Sequence, residues 1–457
     1  MVFYPPKPQH RKMGMRPLDI LKIANRDMLA MFPAEAYNYL MGRYRLGLVN
    51  IYTINCLKTA REVLHNHDDY PKSRYMMRML FPLIRDAVFS SSGEKWKEQR
   101  RRLKPSFSHI HLQRAYPHML GAVDRLVARL DAAVKKGVPV DMERELSFVT
   151  ADVIFRVMFS ITLDGDDART IFDNFQKYQR FLENFGLRDI FEFPSWFPAF
   201  KNENAGRAGE AADALREVSD RLVRERLMIP EADRPADMLT DILVEYKKDF
   251  GDNIPVDDLV DQLSFFFLAG HETLASATAW GIYMLSESPK HADLIAEEVA
   301  SVFGEGPIEF DGLRKLTWAK AVFQETLRLY PSVPYFTREA VKPTTMRTHT
   351  IKPGDQLSIA PFFMHRHKRY WDDPDAFKPE RFLPGQEEEA TKTAYMPFSE
   401  GPRICPGAAF SHVEAGLIFA TLMRRYRFKV ANGHVVEPLG RMTLRPKNGL
   451  LMQVKAL

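Results

Sequence analysis

The segment FSEGPRICPG, Phe398 to Gly407, constrains this chain more than any other stretch. It contains Cys405, one of 2 cysteines in 457 residues. Gly401 allows a tight backbone turn, because glycine adopts positive φ without a steric penalty. Pro406 and Gly407 follow the cysteine, a helical pattern begins there, and proline is favoured in the first turn of a helix. The segment therefore predicts a tight loop that presents Cys405 at a helix N-terminus.

A cysteine in that position has a thiolate that the helix dipole and free N–H groups stabilise. A thiolate is a soft ligand that suits iron. The alternative is a buried structural cysteine, which is the commoner role of a single thiol. Cys56 and Cys405 are too few for a disulfide framework, and this favours a reducing, cytoplasmic compartment.

The rest of the chain is mainly helical in pattern. Helical periodicity covers 112–135, 144–160, 208–229, 256–286, 290–303, 318–330 and 407–424. Strand-like stretches are short and cover 46–54, 346–360 and 449–456. We expect a mainly α fold with small β-sheets, with one domain over 33–457 preceded by an extension, 1–32, without a membrane anchor. The N-terminus lacks the apolar region of a signal peptide, and no apolar run is long enough to span a bilayer.

The longest helical stretch contains AGHET, Ala269 to Thr273. Gly270 leaves a gap in which a diatomic ligand could sit, and Glu272 supplies a protonatable acid. The Thr273 hydroxyl can form hydrogen bonds outside the helical ladder. Residue chemistry alone fits equally well a threonine bonded to its own backbone and a glutamate on an exposed face.

The spacing Phe-x-x-Gly-x-Arg-x-Cys-x-Gly resembles the haem-binding loop of the cytochrome P450 family, and this chain matches each fixed position. The resemblance extends from about Pro33 to Leu457. It implies a soluble, bacterial-type enzyme with a triangular-prism fold, in which haem lies between the long distal helix and the cysteine loop. Cys405 then stands in the place of the proximal iron ligand, where a thiolate favours O–O cleavage.

Two further motifs acquire roles from this resemblance. Glu272 and Thr273 match the distal acid–alcohol pair that delivers protons to bound O2. Glu325 and Arg328 of ETLR, together with Arg381 of PERF, match a buried structural network. Taken alone, the ETLR pair is a surface ion pair of little energetic value.

The resemblance also implies the residues that contact haem. Trp96 and Arg100 lie one helical turn apart in WKEQR, and with Arg338 and Arg403 they match propionate partners. Carboxylates in an apolar pocket need such donors. The other expected haem contacts are Phe398, Gly407, Ala269 and Gly270.

The expected substrate pocket is apolar and aromatic, which favours a fatty acid, terpenoid, alkane or aromatic compound. The residues expected to contact substrate are Phe81, Phe266, Val333, Tyr335, Phe336 and Met442. The Phe-rich segment 180–200, with Trp196, resembles the family's lid. At least half of these side chains are equally consistent with a plain core. Arg78 and Arg85 would meet a substrate carboxylate or face water.

The resemblance implies a haem-thiolate monooxygenase that inserts one atom of O2 into an apolar small molecule. Its cofactor would be haem b (iron protoporphyrin IX), and O2 its co-substrate. Electrons would come from NAD(P)H through a ferredoxin or flavodoxin with its reductase, because no reductase domain follows Cys405. The basic stretch 95–104, with Lys95, Lys97 and Arg101, is the expected docking face. The net charge of +5 is too small and too evenly spread to indicate nucleic-acid binding.

Two alternatives stay open at this point. One is a haem-thiolate enzyme that does not activate O2, such as a peroxide-driven oxygenase or a rearrangement catalyst. The other is a non-enzymatic haem sensor. Relatives of the first kind often lack the acid–alcohol pair, which this chain has. A sensor would leave both the apolar lid and the proton relay without a purpose.

Overall fold

The computed structural model describes residues 2–24, 26–46, 49–163, 170, 172–175, 177, 178 and 203–457. The expected lid, 180–200, lies outside the described residues. The described residues form two compact units. The first unit comprises Met1–Tyr70, Leu120–Thr150 and Glu272–Leu457, and the second comprises Pro71–Met119 and Ala151–His271.

Helices dominate both units, as the periodicity predicts. In chain order the described α-helices are α1 Pro17–Ala24, α2 Leu57–His65, α3 Arg74–Ile84, α4 Gly93–Leu103, α5 His109–Lys136, α6 Met142–Phe159, α7 Glu203–Met228, α8 Met238–Phe250, α9 Val256–Glu287, α10 Pro289–Phe303, α11 Phe310–Leu313, α12 Thr317–Leu329, α13 Pro361–Met364, α14 Glu389–Thr393 and α15 Ala408–Arg425. Short 3₁₀ turns occur at Ala34–Tyr37, Lys104–Phe107, Glu231–Asp233 and Pro379–Phe382. Each of the seven predicted helices is present, with ends within a few residues of those predicted. No helix in the described ranges has both the length and the apolar character needed to cross a bilayer.

All the described strands lie in the first unit. They are β1 Met41–Leu46, β2 Val49–Ile54, β3 Val140–Asp141, β4 Phe336–Glu339, β5 Thr344–Met346, β6 His349–Ile351, β7 Gln356–Ile359, β8 Tyr426–Val430, β9 Pro438–Gly440, β10 Leu444–Pro446 and β11 Leu451–Ala456. The largest sheet has the order β1-β2-β7-β4, and β2 and β7 pair in parallel, Ile51 facing Gln356 and Ile54 facing Ile359. A second sheet has the order β3-β11-β8, and β5–β6 and β9–β10 are two-stranded antiparallel pairs.

The first unit has a core that joins the largest sheet to α2. Ile54, Val63, Leu64 and Ile359 are each fully buried in this cluster. Full burial of an aliphatic side chain stabilises a fold by roughly 1.5–3 kcal/mol. This packing holds α2 against the sheet, and Gly401 of the cysteine loop lies against Leu64 at the end of α2.

Residues near the N-terminus also belong to this first unit. The Phe377 amide donates to the carbonyl of Phe3 at 2.9 Å, and the Tyr330 hydroxyl donates to the carbonyl of Pro6 at 2.5 Å. These residues pack on the unit through defined hydrogen bonds. The division between an extension, 1–32, and a domain, 33–457, stays a prediction.

The second unit is held together by a buried polar network on α9. Arg216 of α7 forms a 2.6 Å ion pair with Asp261. The amides of Asp86 and Val88 donate to Asp261 (3.1 Å) and to Gln262 (2.8 Å). The loop between α3 and α4 is thereby fixed to α9 through its main chain.

Candidate active site

The loop around Cys405 is closed by its own main chain. The Cys405 amide donates to the carbonyl of Phe398, and the Ile404 amide donates to that of Gly401, both at 3.0 Å. Gly401 has φ +79°, and a Cβ there would lie 2.8 Å from the carbonyl oxygen of Leu64, at the end of α2. Both the conformation and the space require glycine, as the sequence predicts.

Cys405 itself is exposed at this loop. The start of the following helix differs from the prediction: α15 begins at Ala408 with Gly407 as N-cap, so Pro406 precedes the helix and does not lie in its first turn. Gly407 takes the N-cap position, and Pro406 therefore belongs to the loop that precedes α15. A Cβ on Gly407 would lie 3.9 Å from the Cys405 sulfur.

A neutral aromatic stack lies behind this loop. The ring of Phe398 packs on His412 at 5.7 Å, and His412 packs edge-on against Phe323 at 5.2 Å. Burial, assisted by the charge of Lys320, lowers the pKa of His412 to about 4. The imidazole is therefore uncharged at neutral pH and acts as a packing ring.

Arg338 has the property expected of a residue that binds an external carboxylate. It is 4% exposed, and burial lowers its pKa to about 10. Its guanidinium donates to the carbonyl of the adjacent Thr337 at 3.3 Å. In the part of the chain that the structure describes, no carboxylate pairs with it. A buried cation without a counter-ion is costly, so the site fits an anionic group supplied by a bound molecule, such as a haem propionate.

Glu325, Arg328 and Arg381 are brought together and buried. The Arg328 guanidinium donates to both Glu325 oxygens, at 2.6 and 2.8 Å, and neither side chain is exposed. Arg381 approaches Glu325 at 3.6 Å and pairs with Glu388 at 2.5 Å. The ETLR pair is thus an interior ion pair and not a surface one.

Glu272 and Thr273 in α9 have partners from other elements of the first unit. A Glu272 carboxyl oxygen accepts a 2.5 Å hydrogen bond from the Thr443 hydroxyl. The Thr273 carbonyl accepts a 2.6 Å hydrogen bond from the Ser332 hydroxyl. Glu272 is therefore not a solvated surface carboxylate.

Ala269 and Gly270 lie in the part of α9 that belongs to the second unit, and both are half-buried. A Cβ on Gly270 would lie 3.0 Å from Ile154 of α6. Glycine at this position therefore permits close packing of two helices. The gap for a diatomic ligand stays a prediction.

Trp96 and Arg100 project from one face of α4, also in the second unit, with Trp96 buried and Arg100 half-buried. Arg403 is half-buried in the cysteine loop of the first unit. Their roles at a propionate stay predictions.

The basic charges of α4 are matched by carboxylates. Lys95 pairs with Asp86 at 3.1 Å, Lys97 pairs with Glu94 at 2.5 Å, and Arg101 pairs with Asp249. These pairs are exposed, so they order the helix surface weakly. The helix therefore presents less net positive charge than its sequence suggests.

The residues expected to contact substrate occupy varied environments. In the second unit, Phe266 is buried and packs edge-on against Phe107 at 5.5 Å, whereas Phe81 is 54% exposed. The rim residues Arg78 and Arg85 are exposed.

In the first unit the Tyr335 hydroxyl donates to the carbonyl of Arg441 at 3.3 Å. Phe336 packs on the sheet core, and Val333 and Met442 are half-buried. Tyr335 thus contacts the β9–β10 turn.

Three polar residues beside the predicted ones were not predicted: Ser332, Thr443 and His412. Ser332 and Thr443 are the immediate neighbours of Val333 and Met442, which were expected to line an apolar pocket. A hydroxyl within an otherwise apolar segment was the available signal for both. His412 had none, because a histidine on a helix gives no indication of its burial.

Comparisons with known proteins point to one family. The family model described as cytochrome P450 matches residues 19–454. Cytochrome P450 4V2 of Rattus norvegicus is 26% identical over 435 residues, covering 90% of this chain and 81% of the relative. Secologanin synthase 1 of Catharanthus roseus is 29% identical over 408 residues, covering 85% of this chain and 76% of the relative. The haem domain of cytochrome P450DA shares the fold with a TM-score of 0.80 at 19% identity, covering 99% of this chain and 97% of that chain.

Proposed function

Because this chain belongs to the cytochrome P450 family and is a monooxygenase, we propose that it inserts one atom of O2 into an apolar small molecule. The observation that carries the proposal is the closed loop that presents an exposed Cys405. The buried Arg338, without a carboxylate partner among the described residues, supports it.

The residues present fit a haem b group. Cys405 would bind its iron, Arg338 would pair with a propionate, and Arg403, Trp96 and Arg100 would supply further donors. Phe398 and Gly407 would pack near the thiolate. When bound, this group supplies the activation of O2 and the oxidation of the substrate.

The protein's own part in proton delivery falls to Glu272 and Thr273. The Ser332 hydroxyl bonds the Thr273 main chain, and the Thr443 hydroxyl bonds the Glu272 carboxyl, so both residues have fixed surroundings. We assign the supply of a proton to the Glu272 carboxyl and its transfer to the Thr273 hydroxyl, since a hydroxyl both donates and accepts. Positioned acids of this kind contribute roughly 10²–10⁴-fold to rates.

The substrate is proposed to be an apolar compound: a fatty acid, terpenoid, alkane or aromatic molecule. Half-buried apolar side chains at Val333, Phe336 and Met442 and the exposed Phe81 support this class. Such side chains bind a ligand by burying apolar surface and not by hydrogen bonding.

Electrons are proposed to come from NAD(P)H through a ferredoxin or flavodoxin with its reductase. Because Lys95, Lys97 and Arg101 are already paired with carboxylates, a docking partner would compete with local pairs. A soluble, bacterial-type subclass and a cytoplasmic location stay predictions; the latter rests on the low cysteine content, 2 in 457 residues.

Two spectra on the purified protein test the proposal. The ferrous protein under carbon monoxide should show the red-shifted Soret band of a thiolate ligand, and Cys405→Ser should abolish that band. A panel of fatty acids, terpenoids, alkanes and aromatics scored by the haem spin-state shift should identify an apolar class. The absence of the red-shifted band from the unmodified protein would refute the proposal.

A further inference from the structure

One face of α9 is joined to the β9–β10 hairpin by three polar side chains. Glu272, Ser276 and Trp280 are spaced four residues apart, so they line up on one side of the helix. The Ser276 hydroxyl and the Trp280 indole N–H, the latter at 2.9 Å, both donate to the carbonyl of Leu444. Glu272 accepts from Thr443, the preceding residue.

The main chain next to Thr443 is fixed from a second side. The Leu444 amide donates to the carbonyl of Ser332 at 3.0 Å, and the Ser332 hydroxyl donates to the carbonyl of Thr273 at 2.6 Å. Both main-chain polar groups of Leu444 are therefore engaged. A chain of hydrogen bonds thus runs from Thr273 of α9 through Ser332 to Leu444, and from Leu444 back to Ser276 and Trp280 of α9.

The Thr443 hydroxyl consequently has a position set by the backbone. Thr443 is 4% exposed, and a threonine side chain has a single χ1 torsion with few allowed rotamers. The Glu272 side chain has three torsions and adapts to its surroundings. The Thr443 hydroxyl therefore has a defined position, and its hydrogen bond restricts the more flexible Glu272 side chain.

We propose that Thr443 is a positioning residue for Glu272, holding its carboxyl in one place beside Thr273. This inference rests on the proposed function, in which Glu272 takes part in proton delivery. Without the hydroxyl, the carboxyl would sample several rotamers, and protons would reach the Thr273 side of the helix less often. The electrons consumed would then give less product.

The test compares Thr443→Val, which keeps the shape and removes the hydroxyl, with Thr443→Ser, which retains the hydroxyl. Thr278→Val is the matched control, because the Thr278 hydroxyl is also buried but bonds carbonyls of its own helix, Leu274 and Ala275. The holoenzyme is assayed with a surrogate ferredoxin and reductase and with the best compound of the spin-shift panel. The quantity measured is the product formed per NAD(P)H consumed.

We expect Thr443→Val to lower this ratio about threefold or more, with the substrate dissociation constant unchanged within about twofold. Thr443→Ser should restore the ratio, and Thr278→Val should leave it unchanged. In a Glu272→Gln background, adding Thr443→Val should cause no further loss, because the two residues act as a unit.

An infrared readout is independent of turnover. The carboxyl stretching band that Glu272→Gln removes should shift in Thr443→Val and return in Thr443→Ser. An unshifted band, an unchanged product ratio in Thr443→Val, or additive losses in the double variant would each overturn the inference. If Glu272→Gln itself left the ratio intact, proton delivery by Glu272 would fail and this inference with it, whereas the carbon monoxide and spin-shift spectra would still test the rest of the proposed function.

Discussion

Glu325 and Arg328 form a two-point ion pair, with contacts of 2.6 and 2.8 Å, in which neither side chain reaches solvent. Arg328 also donates to the carbonyls of His365 (2.8 Å) and Ala376 (2.9 Å). The pair thus ties α12 to the segment that follows α13. Its strength comes from full satisfaction of both charges in the interior.

Loss of one partner should therefore be severe. We expect Glu325→Gln to lower the free energy of unfolding by about 3–5 kcal/mol, because Arg328 would remain buried without a counter-charge. Urea denaturation followed by circular dichroism measures this change. Asp220→Asn is the control: it breaks an exposed two-point pair with Arg224, at 2.7 and 3.1 Å, and should leave the urea midpoint unaltered. Equal effects of the two variants would contradict the importance given to burial.

Arg338 should affect the haem-free and haem-loaded proteins in opposite directions. Arg338→Met removes a buried, unpaired charge, so we expect the haem-free protein to gain up to about 3 kcal/mol, the free energy of a pKa lowered from 12.5 to about 10. The loaded protein should transfer haem to apomyoglobin about tenfold faster. The exposed Arg369→Met is the control for both measurements. If the haem-free variant were less stable, or if haem transfer were unchanged, Arg338 would not be the partner of an anionic group.

Thr273 is expected to matter for the yield of product and not for binding. Thr273→Ala should lower the product per NAD(P)H consumed by about tenfold while reductant consumption continues. Thr273→Ser should recover most of the yield, because it retains the hydroxyl. Peroxide release, measured beside product by chromatography, should account for the lost electrons. Full yield in Thr273→Ala would argue against a monooxygenase mechanism that uses this hydroxyl.

His365 should make stability depend on pH. Its Nε2 accepts from the Met396 amide at 2.9 Å, so its Nδ1 carries the proton and donates to the carbonyl of Arg328 at 3.2 Å. Burial, with help from the charge of Arg328, lowers the pKa of His365 from 6.5 to about 3. The unfolded chain therefore binds a proton that the folded one excludes, and stability is lost as pH falls from about 6.5 toward 3.

At pH 5 this residue should destabilise the fold by about 2 kcal/mol relative to pH 7.5. His365→Phe should be less stable at pH 7.5, because it loses two hydrogen bonds, but should lose less further stability at pH 5. Urea midpoints of both proteins at the two pH values measure the difference. Parallel losses in the two proteins would assign the acid sensitivity to other groups.

The sequence predicted the cysteine loop and the glycine at which its backbone turns, because this turn depends only on local backbone conformation. Gly401 adopts φ +79° next to the Leu64 carbonyl, and no other residue fits. The long helices were equally predictable, since α9 and α5 extend over several turns and their periodicity repeats. The placement of Pro406 in the first turn of α15 was wrong, since the helix begins at Ala408; proline is compatible both with a first turn and with the loop before it.

The contacts that position the acid were not predictable. Thr443 and Glu272 are 171 residues apart, and strands β9 and β10 contain 3 residues each, too few to show a period. The ion pair that balances Arg101 was missed for the same reason, because Asp249 lies 148 residues further along the chain. Long-range polar pairing depends on tertiary arrangement, which periodicity does not record.

The two hydrogen bonds to the Leu444 carbonyl have an evolutionary consequence. Ser276 and Trp280 donate to a carbonyl, and a carbonyl is present whichever amino acid occupies position 444. The hairpin can therefore change its side chains from one lineage to another without detaching from α9. Mutational drift in residues 441–446 would alter what the hairpin touches, while the two donors on the helix would be the positions that selection has to keep.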